Sequence, residues 1–363
     1  MTSLKRILFL SFLSISLSLL PATVKAFEIG VFYFPGWNTG SRFWKDLKGE
    51  PGSRSPGIAW PDREPLLGHY PEEEVWVAEK HIEWAAAHDI DFFAYDWYWY
   101  GKNPDTEHAQ QAFLKAKNRK KLKFCLLWAN HNDVPRNMRE FDDMVDYWLE
   151  HYFKETDYVR IDGKPVLFIF SYTRLEQNAS GFRQSVRSLL ARAEARAREK
   201  GRRGIYFIAT TNERPGDDLE RRLTGCGFSA YTAWNYVLSG DGARVADYDS
   251  MVDTYLDFYQ ASARTAASLP YLVPASPGFD DRPWYGSKAT VRSNATPEKF
   301  ERMLRGARER LEDQKTVPRV LMIEAWNEFA EGSMIEPSKK WGFAYLEKIR
   351  KVFSPAASKA SLR

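Results

Sequence analysis

Apolar runs of strand length alternate with longer stretches of helical period along almost the whole chain. The runs fall at 29–34, 91–95, 123–128, 165–170, 205–210, 228–234, 271–274 and 320–325, each short enough to be a buried strand. Between most of them, apolar residues recur every three to four positions, at 72–88, 108–120, 141–154, 180–200, 248–268 and 297–313, which predicts amphipathic helices. Strands alternating with helices predict a parallel sheet covered on both faces. Eight repeats in about 300 residues fit a closed barrel better than an open sheet. The expected fold is therefore α/β, a single (β/α)8 TIM barrel.

Two connections interrupt this rhythm, 37–71 and 275–294, both rich in Gly, Pro, Trp and Asp. Each follows a strand, so in a barrel each lies on the C-terminal face, where such folds place their active sites. No internal repeat or linker calls for a second domain. Residues 1–26 read as a signal peptide: Lys5 and Arg6, then an apolar stretch over 7–20, then Val24-Lys25-Ala26 with small residues for cleavage. The apolar stretch is short for a membrane span and has no stop-transfer flank, so an uncleaved anchor is the weaker reading. The organisation expected is a signal peptide at 1–26, a catalytic barrel at 27–353 and a disordered tail at 354–363, in a monomer secreted or delivered to the periplasm.

Without the leading segment the chain holds 49 basic against 48 acidic residues, a balance with no electrostatic footprint for nucleic acid. The sequence likewise suggests no membrane contact beyond the signal peptide. Cys125 sits in an apolar run and Cys226 in a Gly-Cys-Gly turn, which favours two buried thiols over a disulfide. Six histidines with no HxxxH or CxxC spacing suggest neither a metal nor any other cofactor. Aromatic residues make up 15% of the chain, including 13 Trp, more than core packing requires. Such side chains at loop mouths suit a ligand with both C–H faces and hydroxyls, a carbohydrate.

The strand ends concentrate candidate chemistry. They offer Tyr33 and Trp37, Asp96 and Trp97, Trp128, Asn130 and His131, Tyr172, Asn212, Trp234, Asp280, and finally Trp326-Asn327-Glu328-Phe329-Ala330-Glu331-Gly332. In the last segment an apolar strand runs directly into two carboxylates three residues apart. Glycoside hydrolysis needs one carboxyl to protonate the departing oxygen and a second as base or nucleophile, so Glu328 and Glu331 are the catalytic candidates. Trp326 and Phe329 beside them would raise a carboxyl pKa by desolvation. The competing reading is ordinary capping at a helix start. Glu324, inside the strand, could support the site, and Glu336 could anchor the loop. Asn130 and His131 could bind hydroxyls or cap a loop, Asp280 could bind a sugar or pair with Arg282, and the aromatics at 97–100 could equally be barrel packing. No GxSxG elbow points to a serine hydrolase.

These segments together resemble the endo-α-mannosidase-like glycoside hydrolases of families 99 and 71 and the related WbsX-like domain, often labelled a glycosyltransferase. The resemblance rests on Tyr33-Phe34-Pro35-Gly36-Trp37, Trp128-Ala129-Asn130, Gly163-Lys164-Pro165-Val166, Pro277-Gly278-Phe279-Asp280, and Trp326-Asn327-Glu328 with Glu331-Gly332 and Ile335-Glu336-Pro337. It implies a (β/α)8 barrel and a metal-free retaining mechanism on an α-linked, mannan-like glycan. In that mechanism Glu328 would deprotonate the substrate's 2-hydroxyl, which attacks the anomeric carbon, and Glu331 would act as acid and then base. The mannosidases carry Trp-His between the two Glu where this chain has Phe329-Ala330, a departure that bears on sugar specificity and leaves both carboxylates in place. A glycosyltransferase is the first alternative, though neither an Asp-x-Asp motif nor a phosphate-binding glycine loop stands out. A non-catalytic sugar-binding barrel is the second, and it would not need both Glu.

Overall fold

The computed structural model describes residues 27–99, 101, 107–132, 134–237, 242–266 and 269–354. The expected signal peptide and all of the expected tail beyond Ser354 lie outside these residues.

Eight parallel strands form the centre: β1 (Glu28–Tyr33), β2 (Phe92–Trp97), β3 (Lys123–Trp128), β4 (Lys164–Ile169), β5 (Tyr206–Thr210), β6 (Ala230–Thr232), β7 (Val273–Ala275) and β8 (Val320–Ile323). They pair in the order β6-β5-β4-β3-β2-β1-β8-β7. A bridge between Tyr231 and Tyr271 joins the two ends, with Leu272 N–H donating to the Tyr231 carbonyl at 2.9 Å. The ring of strands is thus a closed barrel, as the alternating pattern predicts. Its interior is filled by side chains. A Cβ at Gly30 would come within 2.1 Å of the Phe92 ring and 2.7 Å of the Met322 sulfur, so only glycine fits there. Above that layer the Phe32 and Phe168 rings meet across the barrel with centroids 5.4 Å apart.

Helices cover the outside, several with a polar cap where the chain enters them: Asn137, Ser185, Asp247 and Thr296 each accept a backbone N–H from the first turn. The helix expected over 180–200 begins only at Val186, capped by Ser185, and runs to Glu199, because residues 180 and 181 end a preceding helix, Tyr172–Gly181, capped by Ser171. Cys125 is buried as expected. Cys226 is only partly buried, and both are free thiols. Among the described residues no helix is long and apolar enough to cross a membrane.

The first long connection has structure of its own. It holds the helix Arg42–Lys48, capped by Ser41 and closed by left-handed Gly49. A separate small core gathers Trp37, Trp44, Leu47 and Tyr70 from this region around Phe329 and Ala330. The loops after β6 and β7 are tied together by a small sheet of Val245–Asp247, Val291–Ser293 and Phe279–Asp280. Both devices converge on the chain leaving β8.

Candidate active site

Beyond β8 the chain passes a cis Glu324–Ala325 peptide and folds into a tight hairpin, Asn327–Glu328 pairing antiparallel with Ser333–Met334. Its tip is a single 3-10 turn, Phe329–Glu331, closed by Gly332 at φ 64°. A Cβ at Gly332 would lie 3.3 Å from both the Cβ and the backbone nitrogen of Asp280, so the positive φ and the close packing both select glycine. The hairpin is pinned to the barrel where Trp326 N–H donates to the Phe32 carbonyl at 2.7 Å and Glu336 N–H to the Trp326 carbonyl at 2.8 Å.

Asn327 locks the turn from behind. Its Oδ1 accepts the Phe34 N–H at 2.9 Å, and its Nδ2 donates to the Phe34 carbonyl at 2.9 Å and to Glu72 Oε1 at 3.2 Å. The Trp37 indole donates to the Asn327 carbonyl at 2.9 Å, and Glu72 Oε2 accepts from Trp37 N–H and His108 Nε2. From the other side Arg63 Nη1 donates to the carbonyls of Phe329 and Ala330 at 3.0 and 3.1 Å, while its Nη2 pairs with Asp280 at 2.7 Å. Phe329 and Ala330 are fully buried in the loop core. The two residues that depart from the mannosidase pattern therefore support the hairpin from inside that core.

What the hairpin presents is a cluster of acids. Glu328 and Glu324 are buried, Glu331 is partly buried, and Asp96 comes up from β2 to meet them. One carboxyl oxygen of each has no hydrogen-bond partner among the described residues. Burial raises the Glu331 carboxyl to about 8, Glu324 and Asp281 add to the shift, and a hydrogen bond from the Trp234 indole opposes it. Burial also lifts Glu328 well above the ordinary range, followed by the charges of Glu331, Asp96, Glu324 and Glu72. Asp96 is raised by burial and then by Glu331 and Glu324. Glu324 reaches about 7 by burial, against hydrogen bonds from Ser276, Asn235 and Ser333. Four such groups in one low-dielectric place cannot all ionise near neutral pH, so the site holds at least one proton available for donation.

An aromatic wall leads to the acids. The His131 ring lies 4.6 Å from Phe170, Phe170 lies 5.2 Å from Trp234, and Trp234 lies 4.9 Å from Phe32. Of the residues picked out in the sequence, the structure thus brings together Asp96, Trp234, Glu328 and Glu331, with exposed His131 at the rim.

Others serve elsewhere. Trp97 and Trp128 point out of the barrel onto Trp148, at 5.5 and 5.7 Å, and Trp97 donates to Glu107; neither reaches the mouth, because alternate residues of a strand face opposite ways. Tyr33 shares a hydrogen bond with His81 under the helix Val75–Ala87, and Trp326 packs on Phe93 and His81. Trp37 and Asn327 brace the hairpin rather than facing a ligand. Asn130 spends its amide on both backbone groups of Ser171. Tyr172 donates to Glu176 on its own helix, and Asn212 is exposed with no contact to the acids. Asp280 is held between Arg63 and Arg282 and lines a separate cavity of about 600 Å³, which touches the hairpin only at Gly332 and Met334. Arg63, Glu72 and His108 were not foreseen. Arg63 lies in a loop with no periodicity, and Glu72 and His108 open the expected helical stretches, where a polar first residue reads as an ordinary helix start. Among the described residues no group of three or more His, Cys, Asp or Glu is placed to hold a metal ion.

In fold, the chain is similar to the GH99 endo-alpha-mannosidase from Bacteroides thetaiotaomicron, with a TM-score of 0.63 and 17% identity over 93% of this chain and 99% of that one. A structure described as a glycoside hydrolase-like protein aligns with a TM-score of 0.66 and 17% identity over 92% and 95% of the two chains. In sequence the chain is 25% identical to the uncharacterized protein WxcX of Xanthomonas campestris pv. campestris over 94% of its own length. It spans about half of that relative, 51%. Residues 59–349 match the family described as glycosyltransferase WbsX, and the chain belongs to that family.

Proposed function

We propose that the protein is an exported retaining glycoside hydrolase acting on an α-linked glycan of the α-mannan kind or a related one. The observation that carries this reading is the Glu328–Glu331 pair, set on one rigid turn above the strand ends, with unpartnered oxygens and carboxyls held above their ordinary range. A carboxyl at about 8 is protonated at neutral pH and suits Glu331 to protonate a departing glycosidic oxygen. Glu328, beside it on the hairpin, then acts as the base on the substrate's 2-hydroxyl that the mannosidase resemblance implies. Asp96 and Glu324 share the proton inventory, and Trp234, Phe170 and His131 offer ring faces to the sugar.

The test is the release of new reducing ends from α-mannans, α-glucans and deoxy-sugar polysaccharides, by the wild type and by Glu331→Gln. Release by the first and not the second is expected. The family's description favours a second reading, glycosyl transfer, for which nucleoside diphosphate release from nucleotide sugars with no new reducing ends would be decisive.

A further inference from the structure

Outside the acid cluster, a second cavity opens beside Gly332. At about 600 Å³ it falls within the range of about 300–1,000 Å³ common to small-molecule sites. Gly332, the residue after Glu331, and Met334 form part of its wall, so it lies next to the catalytic turn.

Its charge leans positive. Three basic side chains, Arg63, Arg282 and Lys340, stand against two acidic ones, Asp62 and Asp280. Arg292 also lines it, but its buried guanidinium is taken up by the carbonyls of Val237, Ala243, Arg244 and Val291. Both acids are already engaged, Asp280 by the guanidiniums of Arg63 and Arg282 and Asp62 by Lys340. The two arginines hold the Asp280 carboxyl below its ordinary value, so it stays ionised and cancels only one of them. A concave, partly enclosed surface focuses the remaining positive field on whatever enters.

The geometry also suits a sugar ring. Trp341 is partly buried in the wall, and Trp60 lies under the guanidiniums of Arg63 and Arg282 at 4.7 and 5.2 Å. Arg282 bonds to Asp280 through Nε and Nη2, while its Nη1 makes no hydrogen bond among the described residues and its side chain is 49% exposed. That leaves a planar donor for a carboxylate or sulfate.

We propose that this cavity is a subsite for an anionic sugar unit, a ring bearing a carboxylate or a sulfate, in the glycan processed at Glu328 and Glu331. The inference rests on the reading of the neighbouring site as a carbohydrate cleft, and it narrows the substrate class to acidic polysaccharides.

Isothermal titration of the Glu331→Gln protein tests it with three probes of equal length: a galacturonic acid tetrasaccharide, a sulfated galactan tetrasaccharide and mannotetraose. An acidic probe is expected to bind at least tenfold more tightly than the neutral one, with affinity falling as salt is raised. Which acidic probe wins identifies the anionic group. Replacing Arg282 and Lys340 by Ala should lower that affinity about tenfold, the scale of one lost charged hydrogen bond, and leave mannotetraose binding unchanged. Both side chains are nearly half exposed, and Lys340→Ala alone gives a milder variant should the pair disturb the loop. Equal binding of acidic and neutral probes, or acidic binding indifferent to both substitutions, overturns the subsite while leaving the hydrolase reading intact. Binding of none of the three also overturns it, and the reducing-end assay then decides separately whether the hydrolase reading stands.

Discussion

Replacing Glu331 by Gln should change how the stability of the protein depends on pH. In the fold this carboxyl is raised to about 8 from an ordinary value of 4.5, burial being the first cause. The folded state therefore keeps a proton that the unfolded chain gives up. Stability from this group is complete below pH 4.5 and is lost as pH rises from there to about 8. At about 1.4 kcal/mol per pKa unit the full shift corresponds to roughly 5 kcal/mol. Because Glu324 contributes to the same shift and itself titrates near 7, we assign about half to Glu331, on the order of 2–3 kcal/mol. Gln resembles the protonated acid and cannot ionise. An unfolding entropy of about 2 cal/mol/K per residue over about 330 residues makes 1 kcal/mol worth roughly 1.4 °C. Scanning calorimetry should thus find the two proteins alike at pH 5 and the variant higher by about 3–4 °C at pH 8. A difference that does not grow with pH, or a variant less stable at pH 8, would refute the claim that Glu331 is held protonated by burial.

Three further outcomes are expected. Asn327→Ala removes both hydrogen bonds to the Phe34 backbone and the one to Glu72; leaving buried groups unpaired should cost about 3 kcal/mol or more, read as a Tm lower by roughly 4 °C. Trp234→Phe removes the indole that opposes the rise at Glu331, so the alkaline limb of the kcat/KM profile should move to higher pH, and a limb moving the other way would exclude that contact. A substrate whose 2-hydroxyl is replaced by hydrogen should bind but not react if Glu328 acts on that hydroxyl. A 2-fluoro glycoside with a good leaving group that leaves a covalent adduct on Glu328 in intact-protein mass spectrometry would sink that route.

The barrel could be read from the chain because strands buried on both faces appear as unbroken apolar runs separated by helical period. The acid pair could be read because Glu328 and Glu331 follow directly on such a run. Direction was harder. Asp96 and Trp97 are neighbours at one strand end, yet the first faces the acids and the second faces Trp148 and Glu107. The alternation of a strand held that distinction, since an inward Asp96 requires an outward Trp97. For Trp128 the sequence had no such internal reference, and its aromatic character suited packing and sugar binding equally. The helix Arg42–Lys48 was hidden because seven residues are too few for a period to show. Arg63 was out of reach for another reason: its partners Phe329 and Ala330 are more than 260 positions away, joined only by the folded path of the loop.

That distance bears on how the site is maintained. Four carboxyls with unpartnered oxygens make the mouth of the barrel costly to assemble, and the braces that offset this cost lie behind the turn. Asn327 and Trp37 hold one edge, Arg63 and Asp280 hold the other, and Phe329 and Ala330 fill the small core between them. None of these groups needs to contact a ligand in order to fix the acids. A change between the two glutamates, such as Phe329-Ala330 in place of Trp-His, therefore acts first on the packing beneath the turn. The walls that face outward, His131, Phe170 and Trp234 on one side and the basic cavity beside Gly332 on the other, are attached to different strands and loops. Such walls can diverge while the acid pair keeps its geometry, so under the hydrolase reading proposed above the choice of glycan would rest on the walls and the bond-breaking chemistry on the hairpin.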